Sequence, residues 1–314
     1  MFMSKLDERE IIRIFAGKLG IGDLDDVATL EKNNIVFKAD MLVACTDVPP
    51  GMKPWQVARK SVVSCTSDLA AKGVKPLAAM ISLGLPKNCT RPYVEGLAEG
   101  FAIASKEFGV KIIGGDTNQA GELVIDCSMI GIASGKLPPR SGAKPGDIVV
   151  ASGMLGLAPS GLAILMHNAR TAGMFRKQAI ESVLQPVPRQ RFGVALAKYF
   201  SSSIDSSDGL AISLYELASQ SNVDIIVDSV PAVDGLEKFA QENSLDMYEL
   251  VFHGGEEYEI VATIPQAKLR QAETAARKAE LRLRVIGRVK RGDGSVFVGD
   301  RLLENRGYVH FSKR

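Results

Sequence analysis

The sequence has few of the residues that carry zinc, disulfide or nucleophilic chemistry. It contains three histidines, and its four cysteines are widely spaced without a Cys-x-x-Cys pair. Neither a disulfide framework nor a zinc site is indicated, and the reduced thiols favour a cytoplasmic protein. A Gly-x-x-x-x-Gly-Lys-Ser/Thr motif and the protein-kinase motifs are also absent, so the chain is neither a P-loop protein nor a protein kinase.

Excess charge and uninterrupted apolar runs are lacking as well. The formal net charge is +2, which provides no strong field toward nucleic acid, and we expect no nucleic-acid partner. The basic residues near Arg282 and Arg284 alternate with apolar residues, as on the solvated face of a strand. The most apolar window, residues 148–166, contains three glycines and a proline. It predicts a strand, a glycine loop and a helix start, and we expect no membrane association.

Length and composition predict a soluble globular protein with two domains. The chain has 314 residues, of which 46% are hydrophobic and 24% charged; this is too long for one ordinary core. Residues 138–147 form the clearest break in composition, rich in proline and glycine. We therefore predict an N-terminal domain of residues 1–138 and a C-terminal domain of residues 139–314.

Helical and strand patterns alternate along both halves and predict a mixed α/β (α+β) fold. Ser4 with Asp7 predicts the cap of a helix that runs to about residue 18. Residues 53–72 and 94–108 have helical periodicity, and residues 111–113 predict a short buried strand that ends at Gly114-Gly115-Asp116. That composition also suits a plain turn, so its function depends on the rest of the chain.

Acidic residues flanked by small residues recur at predicted turns and element ends. Together they are Asp26, Asp40, Asp68, Asp116, Asp205 and Asp208. One such aspartate is ordinary, but several at strand ends indicate a hard-cation site with oxygen ligands. Magnesium ions there would hold a phosphate-rich substrate, and catalysis would consist of positioning and charge neutralisation. Arg140 and Lys144, at the predicted domain junction, are either phosphate ligands or solvated surface residues.

Sequence blocks that contain these acids and the glycine loops recur along nearly the whole chain. They are Asp25-Asp26-Val27-Ala28, Asp40-Met41-Leu42-Val43, Ser67-Asp68-Leu69-Ala70-Ala71-Lys72-Gly73, Ile112-Ile113-Gly114-Gly115-Asp116-Thr117, Arg140-Ser141-Gly142-Ala143-Lys144-Pro145-Gly146-Asp147, Gly153-Met154-Leu155-Gly156 with Ser160-Gly161-Leu162-Ala163, Ile204-Asp205-Ser206-Ser207-Asp208-Gly209-Leu210, Gly254-Gly255-Glu256-Glu257-Tyr258-Glu259 and Gly307-Tyr308-Val309-His310-Phe311. In this order and spacing, they resemble the motifs of the thiamine-monophosphate kinase family of the AIR synthetase-like ATP-binding superfamily.

The resemblance implies transfer of the γ-phosphate of ATP to thiamine monophosphate, which gives thiamine diphosphate, with Mg²⁺ required. Carried over by position, all six aspartates are metal ligands, and Asp116 and Asp208 are the catalytic candidates. The implied ATP contacts are Gly115, Asp116, Arg140 and Ser207. Asp47, Glu256 and Tyr308 are the implied contacts to the thiamine substrate.

The resemblance also implies a homodimer, in which the N-terminal ATP-binding domains pair into a shared sheet or barrel beside C-terminal α+β domains. The chain departs from the family pattern near three site positions, one of which is Cys65-Thr66 in place of the usual Asn-Leu before Ser67-Asp68. Lys38-Ala39 replaces the Ser-Thr that usually precedes the metal-binding Asp40, and Asp47 stands where a substrate-side histidine is usual. We therefore expect one metal ion to be bound differently or more weakly.

Two other functions fit parts of the sequence. The first is a different enzyme of the same superfamily, such as an AIR synthetase-like or selenophosphate synthetase-like protein; the glycine-rich N-terminal stretch with cysteine or selenocysteine that marks the latter is absent. The second is a nucleotide-binding homologue without activity, which the retention of all six aspartates disfavours.

Overall fold

Two open β-sheets with helices packed on them build the structure. The computed structural model describes residues 7–22, 25–30 and 34–311. One sheet is formed within residues 28–132 and the other within residues 147–302. The predicted mixed α/β fold is confirmed, although neither sheet of the described chain closes into a barrel. Among the described helices, none has both the length and the apolar composition needed to cross a bilayer.

The N-terminal half alternates helices and strands. Its elements are α1 (Glu8–Leu19), β1 (Ala28–Leu30), β2 (Ile35–Val43), α2 (Ala44–Asp47), α3 (Pro54–Ala71), β3 (Lys75–Pro86), α4 (Arg91–Phe108), β4 (Lys111–Ala120) and β5 (Val124–Ile132). Helix α1 begins at a capping box in which the Asp7 carboxylate accepts from the Glu10 amide at 2.8 Å and the Glu10 carboxylate accepts from the Asp7 amide at 3.0 Å. The predicted cap at Ser4 lies outside the described residues.

The N-terminal sheet has the strand order β1-β2-β5-β3-β4. All neighbouring strands are antiparallel except β3 and β4, which α4 connects as a parallel pair. One face packs on α3, which buries residues such as Val36 and Ile125. The opposite face, called here the outer face, exposes apolar side chains, including Phe37, Met41 and Ile132.

The C-terminal half forms a seven-stranded mixed sheet in the order β12-β11-β8-β10-β6-β9-β7. Its elements are β6 (Asp147–Ala151), α5 (Leu157–His167), α6 (Gly173–Leu184), α7 (Gln190–Leu196), β7 (Ser202–Ser206), α8 (Leu210–Ser221), β8 (Val223–Val227), α9 (Leu236–Glu242), β9 (Glu259–Pro265), α10 (Leu269–Lys278), β10 (Arg284–Arg291), β11 (Val296–Val298) and β12 (Arg301–Leu302). Helices α5, α8 and α9 contribute to the core on one face of the sheet, and α7 and α10 to the core on the other.

Helix α3 belongs to the cores of both halves. Its middle packs under the N-terminal sheet, while Ala70 and Ala71 at its end join the core formed by α7, α10 and the C-terminal sheet. Polar contacts strengthen this junction, since the Ser203 hydroxyl donates to the Ala71 carbonyl at 2.7 Å. The approach is so close that a Cβ on Gly193 of α7 would lie 1.7 Å from the Ala70 carbonyl oxygen.

One local prediction was wrong, and two helices were not predicted. The strand predicted to end before Gly114-Gly115-Asp116 continues through it, because β4 pairs with β3 as far as Ala120. A Cβ on Gly115 would lie 1.7 Å from the Ile81 carbonyl oxygen, so strand packing by itself explains the need for glycine there. Helices α6 and α9 were not predicted; loop-like residues such as Gly173 and Gly235 introduce them.

The close packing of α7 on α3 gives a stability prediction. We expect Gly193→Ala to destabilise the protein by about 1–3 kcal/mol, because the added methyl overpacks the junction. Gly17→Ala is the matched control: Gly17 also lies in a helix, but its Cβ position is empty to 4 Å. Replacement there stabilises by up to about 1 kcal/mol. Denaturant unfolding measures both changes, and equal stabilisation by the two substitutions would refute the packing argument.

Candidate active site

Three buried carboxylates converge where the two halves of the chain meet. Asp26 lies in the bend before β1, Asp68 in the last turn of α3 and Asp205 in β7. One oxygen from each lies within 4.8 Å of the others. The side chains are almost completely removed from solvent. The structure thus assembles three of the six predicted metal ligands from distant parts of the sequence.

Two cations hold Asp26. The Lys72 ammonium lies 2.9 Å from one Asp26 oxygen and 2.6 Å from Asp25, and it also donates to the Ser203 carbonyl at 2.7 Å. Arg140 donates to the other Asp26 oxygen, from Nε at 2.8 Å and from Nη2. Burial alone would raise the pKa of Asp26, but the neighbouring Lys72 and Arg140 lower it. Asp26 is therefore an anion even without a bound metal.

Asp40 joins the cluster through Lys38. The two residues alternate with outer-face residues along β2, so their side chains point toward α3. The Lys38 ammonium lies 2.9 Å from an Asp68 oxygen and 3.8 Å from an Asp40 oxygen. Burial would lower the pKa of Lys38, but these carboxylates outweigh it and raise that pKa, which keeps the ammonium charged.

The remaining carboxylates of the cluster hold protons more tightly than usual. Burial raises the pKa of Asp205 to about 7, and the nearby Asp26 charge adds to the rise, while the Ser67 hydroxyl, which donates at 2.8 Å, opposes it. Burial also raises the pKa of Asp68 well above its ordinary value, with Lys38 opposing the shift. Asp40 shows a raised pKa for the same reason. A bound cation would relieve this mutual repulsion.

The donor set fits a hard divalent cation. The three converging ligands are carboxylates, as Mg²⁺ prefers, and no histidine or thiolate that would favour zinc takes part. The Asp26 oxygen beside Lys72 accepts no hydrogen bond, although the ammonium is within ion-pair distance. A cavity of about 590 Å³ adjoins the cluster, and its lining includes Asp26, Lys38, Phe37 and Met80. A ligand with a charged end and an apolar end suits this lining.

The loop after β7 carries two further predicted residues. Ser207 is half-buried, and Asp208 is exposed to solvent. Partial desolvation of the Asp208 carboxylate by its neighbours raises its pKa to about 6, with Glu8 adding to the rise and His310 opposing it. The Tyr308 amide donates to the Asp208 carbonyl at 3.0 Å, so the C-terminal segment closes over this loop.

A second polar cluster joins the predicted substrate contacts Asp47 and Glu256. Lys60, buried in α3, donates at 2.8 Å both to the Asp47 carbonyl and to the Glu256 carboxylate. The Tyr258 hydroxyl donates to the same carboxylate at 3.3 Å, and the Glu256 amide donates to the Ser207 carbonyl at 2.6 Å. Glu256 and Tyr258 both have positive φ, which is strained for these residues. This cluster therefore adjoins the loop of Ser207.

Asp116 is the predicted ligand that lies on the opposite face of the N-terminal sheet from the buried cluster. It lies in the exposed edge strand β4, in register with Ser82 and Asp126. Strand alternation places that row on the outer face, whereas Asp40 lies on the face that packs on α3. The Asp47 carboxylate is likewise engaged locally, because it accepts from the Val43 amide at 2.7 Å.

Sequence reasoning did not assign roles to the lysines of the site. Lys60 and Lys72 lie on α3 and at its end among apolar residues, and residue type alone does not distinguish them from surface lysines. Their near-complete burial identifies them here. Helical spacing could have indicated Lys60, because it lies three residues from each of the buried apolar residues Val57 and Val63 and so shares a face of the helix with them.

Comparison with known proteins agrees with this arrangement. The family model of the AIR synthase related protein N-terminal domain matches residues 24–133, and that of the C-terminal domain matches residues 144–300. Two domains of this class, with acids and cations at their junction, define the protein as an AIR synthase related protein. The boundary predicted between residues 138 and 139 remains a prediction.

Individual relatives narrow the assignment. Thiamine-monophosphate kinase of Nitrosopumilus maritimus is 43% identical and covers 98% of this chain and 100% of its own. The enzyme of Pyrococcus horikoshii is 37% identical over 93% of this chain and 91% of its own. A solved structure of AaThiL complexed with AMPPCP and TMP has a TM-score of 0.89 at 28% identity, covering 99% of this chain and 100% of that one. The chain belongs to the thiamine-monophosphate kinase family of phosphotransferases, which confirms the predicted family.

The raised pKa of Asp205 predicts a pH-dependent response to magnesium. The pKa of Asp205 in the folded protein is about 7, above the 3.8 of an ordinary aspartate. Between these pH values the folded state therefore binds a proton that the unfolded state has lost. The stabilisation that this proton provides declines as the pH rises through that range. A metal ion must displace the proton, so its apparent affinity falls about tenfold per pH unit below the pKa. We expect Mg²⁺ to raise Tm more at about pH 8 than at about pH 5.

Asp205→Asn tests whether this carboxylate is responsible. The substitution removes one titrating group, so thermal unfolding with and without Mg²⁺ should show a smaller pH dependence of the shift, while Asp68, whose pKa is also raised, retains part of it. Asp234→Asn, an exposed site outside the cluster, is the control and should respond like the unaltered protein. An undiminished pH dependence in Asp205→Asn would contradict the assignment.

Proposed function

We propose that the protein transfers the γ-phosphate of ATP to the phosphate of thiamine monophosphate, giving thiamine diphosphate and ADP. The observation that carries the proposal is the convergence of Asp26, Asp68 and Asp205 at the junction of the two halves. Family membership supports the same reaction, as does the related structure of AaThiL complexed with AMPPCP and TMP.

The acid cluster is where divalent metal would bind. Asp26, Asp68 and Asp205 would hold Mg²⁺, with Asp208 as a further ligand at its edge, while Asp40 lies beside this position and pairs with Lys38. Bound Mg²⁺ supplies positive charge that neutralises the oxygens of the transferred phosphoryl group. Arg140 lies at the same junction, and its guanidinium can exchange part of its pairing with Asp26 for a nucleotide phosphate.

The reaction needs little proton chemistry from the chain. The acceptor is a phosphate monoester, whose second pKa is about 6, so it is largely anionic at neutral pH and needs no strong general base. The main obstacle is repulsion between two anions, which Arg140 and the lysines of the site offset. We infer direct in-line transfer without a phosphoenzyme, which is consistent with a cluster that contains carboxylates and no histidine or cysteine nucleophile.

The second polar cluster suits the acceptor. The Glu256 carboxylate is fixed by Lys60 and Tyr258, close to the loop of Ser207. A fixed carboxylate can bind the cationic thiazolium or the aminopyrimidine of a thiamine phosphate. We propose that Glu256 and Tyr308 contact this end of the substrate, with Asp47 at its margin.

The direct test is an assay with purified protein, ATP, Mg²⁺ and thiamine monophosphate, in which the product is separated chromatographically. We expect thiamine diphosphate to form only when nucleotide, metal and acceptor are all present. Unphosphorylated thiamine is the acceptor control and should not react, because the attacking group is a phosphate oxygen. Metal-dependent ATP turnover without thiamine diphosphate would instead indicate another enzyme of the superfamily.

Two substitutions test the metal ligands. Asp205→Asn and Asp116→Asn should each lower kcat by about a hundredfold or more, the scale of losing one electrostatic contact in a transition state. Circular dichroism should show an intact fold, and Asp234→Asn should retain normal turnover. Near-normal turnover of Asp116→Asn would remove Asp116 from the site, whereas the same result for Asp205→Asn would refute the metal cluster itself.

We also infer that two copies of the chain pair through the outer face. Its exposed apolar side chains include Met41 and Ile132, which are 61% and 57% exposed in the single chain. A polar partner would offer these apolar side chains no apolar surface to pack against. A second copy of the chain does, because a two-fold axis brings the same apolar face of each subunit together. Pairing would cover the face that carries Asp116 and bring that residue to an interface between subunits.

Light scattering after size-exclusion chromatography tests this pairing. The unaltered protein should have about twice the mass of one chain, and Met41→Glu with Ile132→Glu should shift it toward the monomer by burying charge in the interface. Met174→Glu is the matched control, since Met174 is 67% exposed but lies on α6, away from the sheet. A dimer that both variants retain would place the interface elsewhere.

A further inference from the structure

Lys38 is an unusual residue for the centre of an acidic site. Its side chain is 21% exposed and extends from β2 toward α3, where the ammonium lies between the carboxylates of Asp40 and Asp68. The distances are 3.8 Å to Asp40 and 2.9 Å to Asp68. Within the described part of the chain, no other cationic side chain lies within 4.0 Å of either carboxylate.

The other cations of the site are committed elsewhere. Lys72 pairs with Asp25 and Asp26, and Arg140 pairs with Asp26. Lys38 is therefore the cation that compensates Asp40 and the adjacent oxygen of Asp68 when these carboxylates are ionised. A position between two carboxylates is one that a divalent ion usually occupies, with the carboxylate oxygens as its ligands.

The ammonium and a divalent ion cannot share this position. An ion bridging Asp40 and Asp68 would need its ligands at about 2.1 Å, and an ammonium 2.9 Å from the same Asp68 oxygen would repel it at close range in a largely dehydrated site. Asp26 and Asp205 each present an oxygen within 4.8 Å of an Asp68 oxygen, and neither pairs with Lys38, so the cluster of three carboxylates remains available for metal.

We propose that Lys38 is a built-in cation that takes the place of one divalent ion between Asp40 and Asp68. The inference rests on the proposed function in that the acid cluster binds metal with nucleotide. The chain then binds one divalent ion fewer than its carboxylates could hold. The fixed ammonium supplies the missing positive charge at every metal concentration, so occupancy of this position does not depend on magnesium.

Counting bound ions tests the proposal without measuring catalysis. Mn²⁺ serves as the probe, because free Mn²⁺ can be quantified by electron paramagnetic resonance, and AMPPCP is the nucleotide, with no acceptor present. We expect Lys38→Ser to bind one more Mn²⁺ per chain than the unaltered protein, since the substitution removes the charge and leaves space and a hydroxyl oxygen. Lys38→Gln is the second neutral variant, in case the serine variant does not fold.

Matched variants separate charge from structure. Lys38→Arg keeps the positive charge and should keep the original Mn²⁺ count, and the exposed Lys87→Ser should also leave it unchanged. Thermal unfolding in a chelator should show that Lys38→Ser is less stable than the unaltered protein, because Asp40 and Asp68 lose their counter-ion. Mn²⁺ should then raise its Tm by more than that of the unaltered protein.

The outcomes distinguish this proposal from the proposed function. If the unaltered protein binds Mn²⁺ and the folded neutral variants bind the same number, the role of Lys38 is refuted and the metal site stands. An extra ion in Lys38→Arg would also refute it, because charge would then not be the excluding factor. If neither the unaltered protein nor the neutral variants bind Mn²⁺, both proposals fail. Formation of thiamine diphosphate is measured separately and does not affect this count.

Discussion

The repulsion among the buried carboxylates of Asp26, Asp68 and Asp205 is the constraint that the surrounding structure has to satisfy. Ionised groups within 4.8 Å of one another, away from water, are expensive unless cations or protons compensate them. The chain uses both means. Lys72 and Arg140 compensate Asp26, while the raised pKa values of Asp68 and Asp205 favour their protonated forms in the metal-free protein.

Helix α3 makes this concentration of charge possible. It carries Asp68 in its last turn and Lys60 farther back, Lys72 follows its end, and its flanks pack in the cores of both halves. The same rigid element therefore fixes the metal-binding acids and the cluster around Glu256. Close packing of α7 against Ala70 sets the distance between the halves and, with it, the distance from Asp68 to Asp205 on β7.

The sequence predicts the mixed fold, the helix at α3 and the acidic character of the site, because periodicity and motif spacing are local signals. It fails where a tertiary contact overrides the local pattern. Gly114-Gly115-Asp116 has the composition of a turn, yet β3 supplies a pairing partner that continues the strand. Local sequence also cannot reveal burial, so the role of Lys72 emerges only when β7 brings the Ser203 carbonyl to its ammonium.

The two ways of compensating charge have different consequences for ligand entry. Asp26 keeps its negative charge at all physiological pH values, because the cations that lower its pKa are side chains of the protein. It can therefore attract a metal ion before the protonated carboxylates lose their protons. Asp205 holds a proton that an arriving ion must displace, which couples binding to pH near neutrality. A site made only of free carboxylates would repel nucleotide when empty. Permanent cations beside proton-holding acids reduce that repulsion, while the carboxylate oxygens remain available for metal.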